Sequence, residues 1–281
     1  MKYITSQLEK AIRQMIVVTR DQQKRTKMRP KKTELIFGQP GQGNLAGLHY
    51  DLNDGKDILV RGRIDRIDEM EINGKQYFSV IDYKSADRKF EIPKAYVGVS
   101  MQLLTYLDVV RQNLDDLATD DIAQIAGALY LHIKNSKFSQ TDLQKVAGDV
   151  EKQLLIDHSF KGILVKDPDL LTEIDQTFSH GERKSLFLPI QLNKDNTPSK
   201  RNSDSLIEPQ LLDRFLEHNE RLIQDAGRRI LTGDVSLSPV KMTDMSAMQF
   251  TPYKSIMNLI RYFQKINTGI LRSKEMKFSS D

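Results

Sequence analysis

The sequence predicts an α/β domain with a mixed central β-sheet flanked by helices and a helical C-terminal extension. Three observations point there. An Asn73-Gly74 step lies between two strand-like runs, Ile58–Asp68 and Tyr77–Lys84; Asn-Gly suits a type I′ hairpin turn, whose two central residues need positive φ. An amphipathic helix, Val99–Arg111, separates the second run from a further apolar run, Ile122–Ile133. That order fits a βαβ crossover, which adds a parallel pair to the antiparallel hairpin. The stretch Pro209–Leu231 then carries apolar residues at helical spacing, with Gly233 as its stop.

Composition sets the bounds. The chain has 281 residues, 39% hydrophobic and 28% charged, an ordinary globular balance for one large domain or two small ones. It has no cysteine, which excludes disulfides, thiolate metal sites and a cysteine nucleophile. A cytoplasmic location is expected. No apolar run approaches membrane-spanning length and the N-terminus lacks the apolar core of a secretory leader, so no membrane partner is expected. Net charge is +4, but residues 1–32 hold ten Lys/Arg against Glu9 and Asp21, a net +8, leaving −4 for the remainder. A basic end on a mildly acidic body is a footprint suited to nucleic acid.

In chain order, residues 4–28 read as a helix, with Ile4, Leu8, Ile12 and Met15 at spacings of four, four and three, ended by Pro30. Glu34–Gly38 reads as a first strand and Leu48–Leu52 as another. GQGNLAG (41–47) between them lacks a following Gly-Lys-Ser/Thr, so it reads as a turn and not a phosphate-binding loop. Residues 86–98 read as a polar connection. Residues 141–180 read as short helices with a strand at Phe160–Val165, and 193–209 as a flexible loop. In the last long helix Leu212, Phe215, Leu222, Ile223, Ala226 and Ile230 are expected inside. The domain plan is a basic N-terminal helix (1–32), a core (33–137), a helical extension (138–233) and a C-terminal tail (234–281). His49, His132 and His158 read as structural.

The hairpin carries the chemistry. A two-residue turn sets Ile72 opposite Lys75, and continued pairing sets Asp65 opposite Asp82 and Arg63 opposite Lys84 on the same face. Directly opposed carboxylates repel unless they share a proton or a cation. A hard divalent cation suits them, and Lys84 beside it suits phosphate chemistry. Gln102 and Tyr106, four apart, share one edge of the following helix.

GRIDRID (62–68), VIDYKS (80–85) and QLLTY (102–106), in this order and joined by a hairpin and a helix, resemble a PD-(D/E)xK nuclease of the RecB type. GALYLHI (127–133) and the tail after Gly233 look more narrowly like the C-terminal part of AddB and RexB, the B subunits of bacterial ATP-dependent helicase–nucleases. The resemblance runs from about Glu34 to Ile260. It implies a restriction-endonuclease-like fold. It also implies a Mg²⁺ ion, with Mn²⁺ as a substitute, held by Asp65, Asp82 and the backbone carbonyl of Tyr83. Lys84 would position the attacking water, and Gln102 with Tyr106 would support the site and touch DNA. Arg63 would contact phosphate or pair with Asp82; Glu34 is either a structural residue or an additional carboxylate. Implied partners are DNA, as a single strand or an unwound end, and a RexA/AddA-type helicase–nuclease subunit. The implied task is degrading the 5′-ended strand at a double-strand break.

Two departures from the family pattern stand out. Met248, Thr251 and Met257 occupy the places of iron–sulfur cysteines, so no cluster is expected, which points to the RexB branch. The family's metal-binding histidine lies upstream of the first strand, and no histidine precedes His49 here. The expectation is therefore a C-terminal piece that starts after that histidine. The readings to be separated are an active DNase, a binding module whose catalysis fails without the histidine, and a free-standing RecB-like nuclease.

Overall fold

The computed structural model describes residues 2–41, 43–52, 55–119, 122–202, 204–236, 240 and 252–253. The tail positions Met248, Thr251 and Met257 lie outside the described residues.

Helix α1 (Lys2–Arg25) opens the chain. It buries Ala11, Met15, Val18 and Gln22, at spacings of four, three and four, whereas Ile4, Leu8 and Ile12 of the periodic row that also contains Met15 are exposed. The helix carries two adjacent apolar stripes, and periodicity alone does not choose which of them docks. Pro30 does not end this helix. It lies within strand β1 (Arg29–Phe37), which is tolerated because β1 is a sheet edge and its ladder slips between Pro30 and Lys32.

The expected strand Ile58–Asp68 is two strands. Strand β3 (Asp57–Val60) pairs with β2 (Leu48–Asp51) in a separate two-stranded sheet, while β4 (Gly62–Ile72) pairs with β1 and with β5 (Lys75–Lys84). The chain changes sheets at Gly62, where an added Cβ would meet the Phe37 ring at 2.9 Å. The β4–β5 turn has Asn73 at φ 51° and Gly74 at φ 73°, and its pairs, from Ile72↔Lys75 to Arg66↔Ile81, have the register read from the sequence.

After β5 come α2 (Ile92–Tyr96), inside the stretch expected to be only a connection, then α3 (Gln102–Gln112) and α4 (Leu114–Leu117). Strand β6 (Ala123–His132) returns parallel to β5, as the crossover requires. Two short helices, α5 (Gln140–Lys145) and α6 (Val150–Asp157), lead to β7 (Lys161–Val165), and α7 (Pro168–Glu173) follows. The segment 193–209 is not a free loop. Its Leu206–Ile207 forms edge strand β8 parallel to β7, and Ile207 is buried. The residues after 138 thus add strands as well as helices, and the sheet order is β1-β4-β5-β6-β7-β8.

Helix α8 (Pro209–Leu231) packs on α3 through buried Leu212, Phe215 and Leu216. Ala226 and Ile230, expected inside, are exposed. There the helix has run past α3, and Gly227 lies against Ile58 of the β2–β3 hairpin. Arg111 ties the two helices by reaching Asp108 at 2.7 Å and Glu220 at 3.0 Å. The core is centred on Ile64, Ile67, Phe78, Val80, Leu103, Leu107 and Leu131, all essentially without solvent contact.

Successive residues of a strand project to opposite faces, so the hairpin serves two layers. Arg66 and Asp68 point toward the α1 side, lining one cavity with Thr19, Gln22 and Thr26. They form a buried bidentate pair, Nε–Oδ1 and Nη2–Oδ2 both 2.5 Å, and Arg66 Nη1 also donates to the Tyr83 hydroxyl at 3.2 Å. Removing one member strands a buried charge. Asp68→Ala is expected to lower the unfolding free energy by about 3–5 kcal/mol, and Arg66→Met/Asp68→Leu to recover most of that loss, as read by urea denaturation.

Candidate active site

The opposite face of the hairpin gathers the polar residues singled out in the sequence. The β4–β5 ladder stops at Arg66↔Ile81, one pair short of the expected Asp65–Asp82 opposition. Beyond it, the Tyr83 N–H donates to Oδ2 of Asp65 at 2.9 Å. A side-chain carboxylate has replaced a backbone acceptor. Opposed carboxylates repel, and the strands part where that opposition would begin.

Residue orientation along β5 follows from its partners. The Lys84 carbonyl accepts from the Ile133 N–H at 2.8 Å, on the β6 side. The N–H and C=O of one strand residue point to the same side, and they alternate along the strand. Tyr83, whose N–H meets Asp65, therefore turns its carbonyl toward the opening between β4 and β5.

Asp82 is 2% exposed. Its Oδ1 accepts from Nε2 of Gln102 at 3.2 Å, and its Oδ2 is ion-paired with the Lys84 ammonium. That Oδ2 is buried, and the Lys84 ammonium is its partner. Burial raises the Asp82 pKa, against the hydrogen bond and charge of Lys84, which lower it; the nearby charge of Asp65 adds to the rise. Gln102, the first residue of α3, is the hub: its Oε1 accepts from Lys84 at 3.0 Å while its Nε2 also contacts the Tyr106 hydroxyl at 2.9 Å. Tyr106 is held edge-on to Phe37, ring centroids 5.9 Å apart.

Asp82, Lys84, Gln102 and Tyr106 thus form one connected network, with Asp65 at its rim through Tyr83. Arg63 stands apart. It was expected to face Lys84, but it pairs with Glu34 of β1 at 2.9 Å, both exposed. Lys84 is already engaged, and Arg63 lies on the part of β4 where pairing with β5 has ended, so β1 supplies its partner. Glu34 itself has φ 52°, a conformation uncommon for a residue other than glycine.

Two residues of this face were not assigned to the site from the sequence. Tyr130 of β6 lies opposite Asp82, and the Lys84 ammonium sits 5.6 Å from its ring centroid. His132 lies opposite Lys84. The β5–β6 register places both, and no turn in the sequence encodes it.

The chemistry of the donor set suits a hard divalent cation. Asp65, Asp82 and the Tyr83 carbonyl are all oxygen donors, and Mg²⁺ is commonly held by one or two carboxylates while it keeps several waters. The buried Asp82 Oδ2 has the Lys84 ammonium against it, a place where positive charge is already favoured. Among the described residues, no group of three or more His, Cys, Asp and Glu is placed to hold a metal.

Comparison with known proteins identifies the family. The family described as the PD-(D/E)XK nuclease superfamily matches residues 1–241. The chain is 38% identical over 261 residues to the B subunit of an ATP-dependent helicase/deoxyribonuclease from Lactiplantibacillus plantarum, covering 92% of this chain and 22% of that protein. A protein of the same description from Pediococcus pentosaceus is 35% identical over 278 residues, covering 96% and 23%. Another, from Enterococcus faecalis, is 36% identical over 260 residues, covering 91% and 21%. The chain spans about a fifth of the length of the curated relatives it matches. Among the described residues, no helix is long and apolar enough to cross a membrane.

The histidines bordering the site set a pH dependence. His158 bonds through Nδ1 to the His132 carbonyl at 2.9 Å, and its Nε2 meets the Ser136 hydroxyl at 2.9 Å. Burial holds both His132 and His158 below the usual histidine value. The unfolded chain takes up protons near pH ~6.5 that the folded chain refuses. Their contribution to stability is therefore complete above about pH 6.5 and is lost as pH falls. Urea denaturation at about pH 5.5 should show about 1–2 kcal/mol less stability than at about pH 8. His158→Gln should reduce that difference, whatever it costs at pH ~8.

Proposed function

Since the chain belongs to the PD-(D/E)XK nuclease superfamily, we propose that Asp65, Asp82, Lys84 and Gln102 form the centre at which it hydrolyses phosphodiester bonds of DNA with Mg²⁺ or Mn²⁺. The observation that carries this reading is the buried Asp82 carboxylate held between the Lys84 ammonium and the Gln102 amide, with Asp65 at the rim of the same network. Asp65, Asp82 and the Tyr83 carbonyl would hold the ion, which supplies Lewis acidity at the phosphate and lowers the pKa of bound water.

The remaining work falls to the protein's own groups. A water oxygen adds to phosphorus, the ester P–O bond breaks, and the departing oxygen takes a proton. Lys84 lies where it orients that water and offsets the charge gathering on the phosphoryl oxygens. Gln102 keeps Lys84 and Asp82 aligned by bonding both at once. Arg63, Gln102 and Tyr106 are the candidate DNA contacts. Such contacts read backbone and not base sequence.

The named relatives are B subunits of helicase/deoxyribonucleases, which supports a coarser placement as well. In our reading this chain is the nuclease portion of such a subunit. It works beside a RexA/AddA-type partner whose motor unwinds the duplex, and it degrades the 5′-ended strand during double-strand break repair. The two-carboxylate donor set favours one second reading, a portion that binds DNA and the ion but cleaves weakly by itself.

Cleavage of a labelled single-stranded oligonucleotide with Mn²⁺ separates these readings. Asp82→Ala is expected to reduce the rate at least about 100-fold. Cleavage unchanged in that variant overturns the site assignment. Without DNA, saturating Mn²⁺ is expected to raise Tm by about 5 °C, and Asp82→Asn to remove the shift. A shift without cleavage selects the second reading.

A further inference from the structure

The loop that follows Lys84 is fastened to the catalytic face. The Arg88 N–H donates to Nε2 of His132 at 2.7 Å, and Asp87 is ion-paired with Lys161 at 2.9 Å. His132 is 3% exposed and lies opposite Lys84 in the parallel β5–β6 ladder. Laterally paired residues project from the same face of a sheet, so Asp82, Lys84, Tyr130 and His132 share one face. Because its Nε2 accepts the hydrogen bond from the Arg88 N–H, His132 is neutral and protonated at Nδ1. A buried imidazole is thus spent on holding a loop backbone beside the catalytic lysine.

Arg88 itself is exposed, and no hydrogen bond or ion pair of its guanidinium is found among the described residues. Its acidic neighbour Asp87 is turned to Lys161 and lies 3.6 Å from His132 Nε2, so it does not neutralise Arg88. Burial raises the pKa of Asp82 and of Tyr130, and the Arg88 charge opposes that rise in both. A free guanidinium at the lip of a phosphate site offers a planar fork that matches two phosphoryl oxygens.

We propose that Arg88 contacts a phosphate of the bound DNA strand and that His132 is the positioning residue that holds it there by accepting its backbone N–H. The proposal rests on the nuclease reading above and extends it to a loop outside the three sequence blocks.

The test is anisotropy of a fluorescein-labelled single-stranded oligonucleotide, titrated with KCl in EDTA, with the whole chain. Arg88→Gln is expected to weaken binding roughly tenfold and to reduce the slope of log K against log salt by about 0.7, the value of one phosphate contact on a single strand. Arg88→Lys should keep the slope and lose part of the affinity, because charge is retained and the fork is not. His132→Leu should reproduce the Arg88→Gln loss, and His132→Gln, which keeps an acceptor, should restore binding. Arg88→Gln/His132→Leu should bind no more weakly than Arg88→Gln, an epistasis that a merely structural role does not produce.

Affinity and slope unchanged in Arg88→Gln overturn the phosphate contact; Arg88 is exposed, so that variant is not confounded by misfolding. Additive losses in the double variant, without rescue by His132→Gln, overturn the positioning role. If Asp82→Ala abolishes cleavage while Arg88→Gln binds as wild type, the nuclease reading stands and this proposal falls. If Asp82→Ala cleaves as wild type, or the chain does not bind the oligonucleotide, both fall.

Discussion

The β4–β5 ladder opens after Arg66↔Ile81, and the Tyr83 N–H that would have found a backbone acceptor takes Oδ2 of Asp65 instead, at 2.9 Å. Much of the site follows from that exchange. A closed ladder would hold two carboxylates about 5 Å apart with nothing between them, an arrangement that like-charge repulsion opposes. The opened ladder leaves space, turns the Tyr83 carbonyl toward it, and keeps the freed N–H satisfied, as a partly buried backbone group requires. Behind the opening, the Arg66–Asp68 pair and its bond to the Tyr83 hydroxyl hold the same residues from the other face of the sheet.

The strand β5 is the element on which the two faces meet. Toward β4 it contributes Asp82 and the Tyr83 carbonyl; toward β6 it is locked by the parallel ladder that sets Tyr130 opposite Asp82 and His132 opposite Lys84. The cost of burying Asp82 is offset by Lys84 and Gln102, and it is not fully offset, since burial still raises the Asp82 pKa against the influence of Lys84. That residual cost is a property of sites built to receive a charged ligand and not of a finished core. Gln102 reaches the network because α3 starts at that residue, and α3 is held by the sheet beneath it and by α8 through the Arg111, Asp108 and Glu220 cluster.

Local signals were legible wherever a short stretch dictates its own geometry. Asn73-Gly74 set the turn and hence the hairpin register, and the ends of α8 coincide with Pro209 and Leu231. Signals that depend on which neighbour wins were not legible. Which face of α1 docks was not legible, because the row Ala11, Met15 and Val18 competes with an equally periodic row of Ile4, Leu8 and Ile12. The strand 58–68 read as continuous because the change of sheet at Gly62 depends on Phe37, which is distant in sequence. Arg63 was placed opposite Lys84 by extending a register past the point where the ladder had ended, and its partner is Glu34.

The sequence by itself determined the fold class, the hairpin, and the set Asp65, Asp82, Lys84, Gln102 and Tyr106 as one candidate centre. For Asp65, Asp82 and Lys84 it did so because turn length and side-chain period fix their offsets across one hairpin; Gln102 and Tyr106 joined them through the resemblance to the nuclease family. Only the tertiary structure decided where the ladder opens, which Asp82 oxygen meets Lys84 and which meets Gln102, and that Tyr130, His132 and the loop through Arg88 border the same face. Those depend on a parallel register and on close approach between distant segments. No turn fixes a parallel register; it is settled by how the whole sheet packs between its two layers of helices.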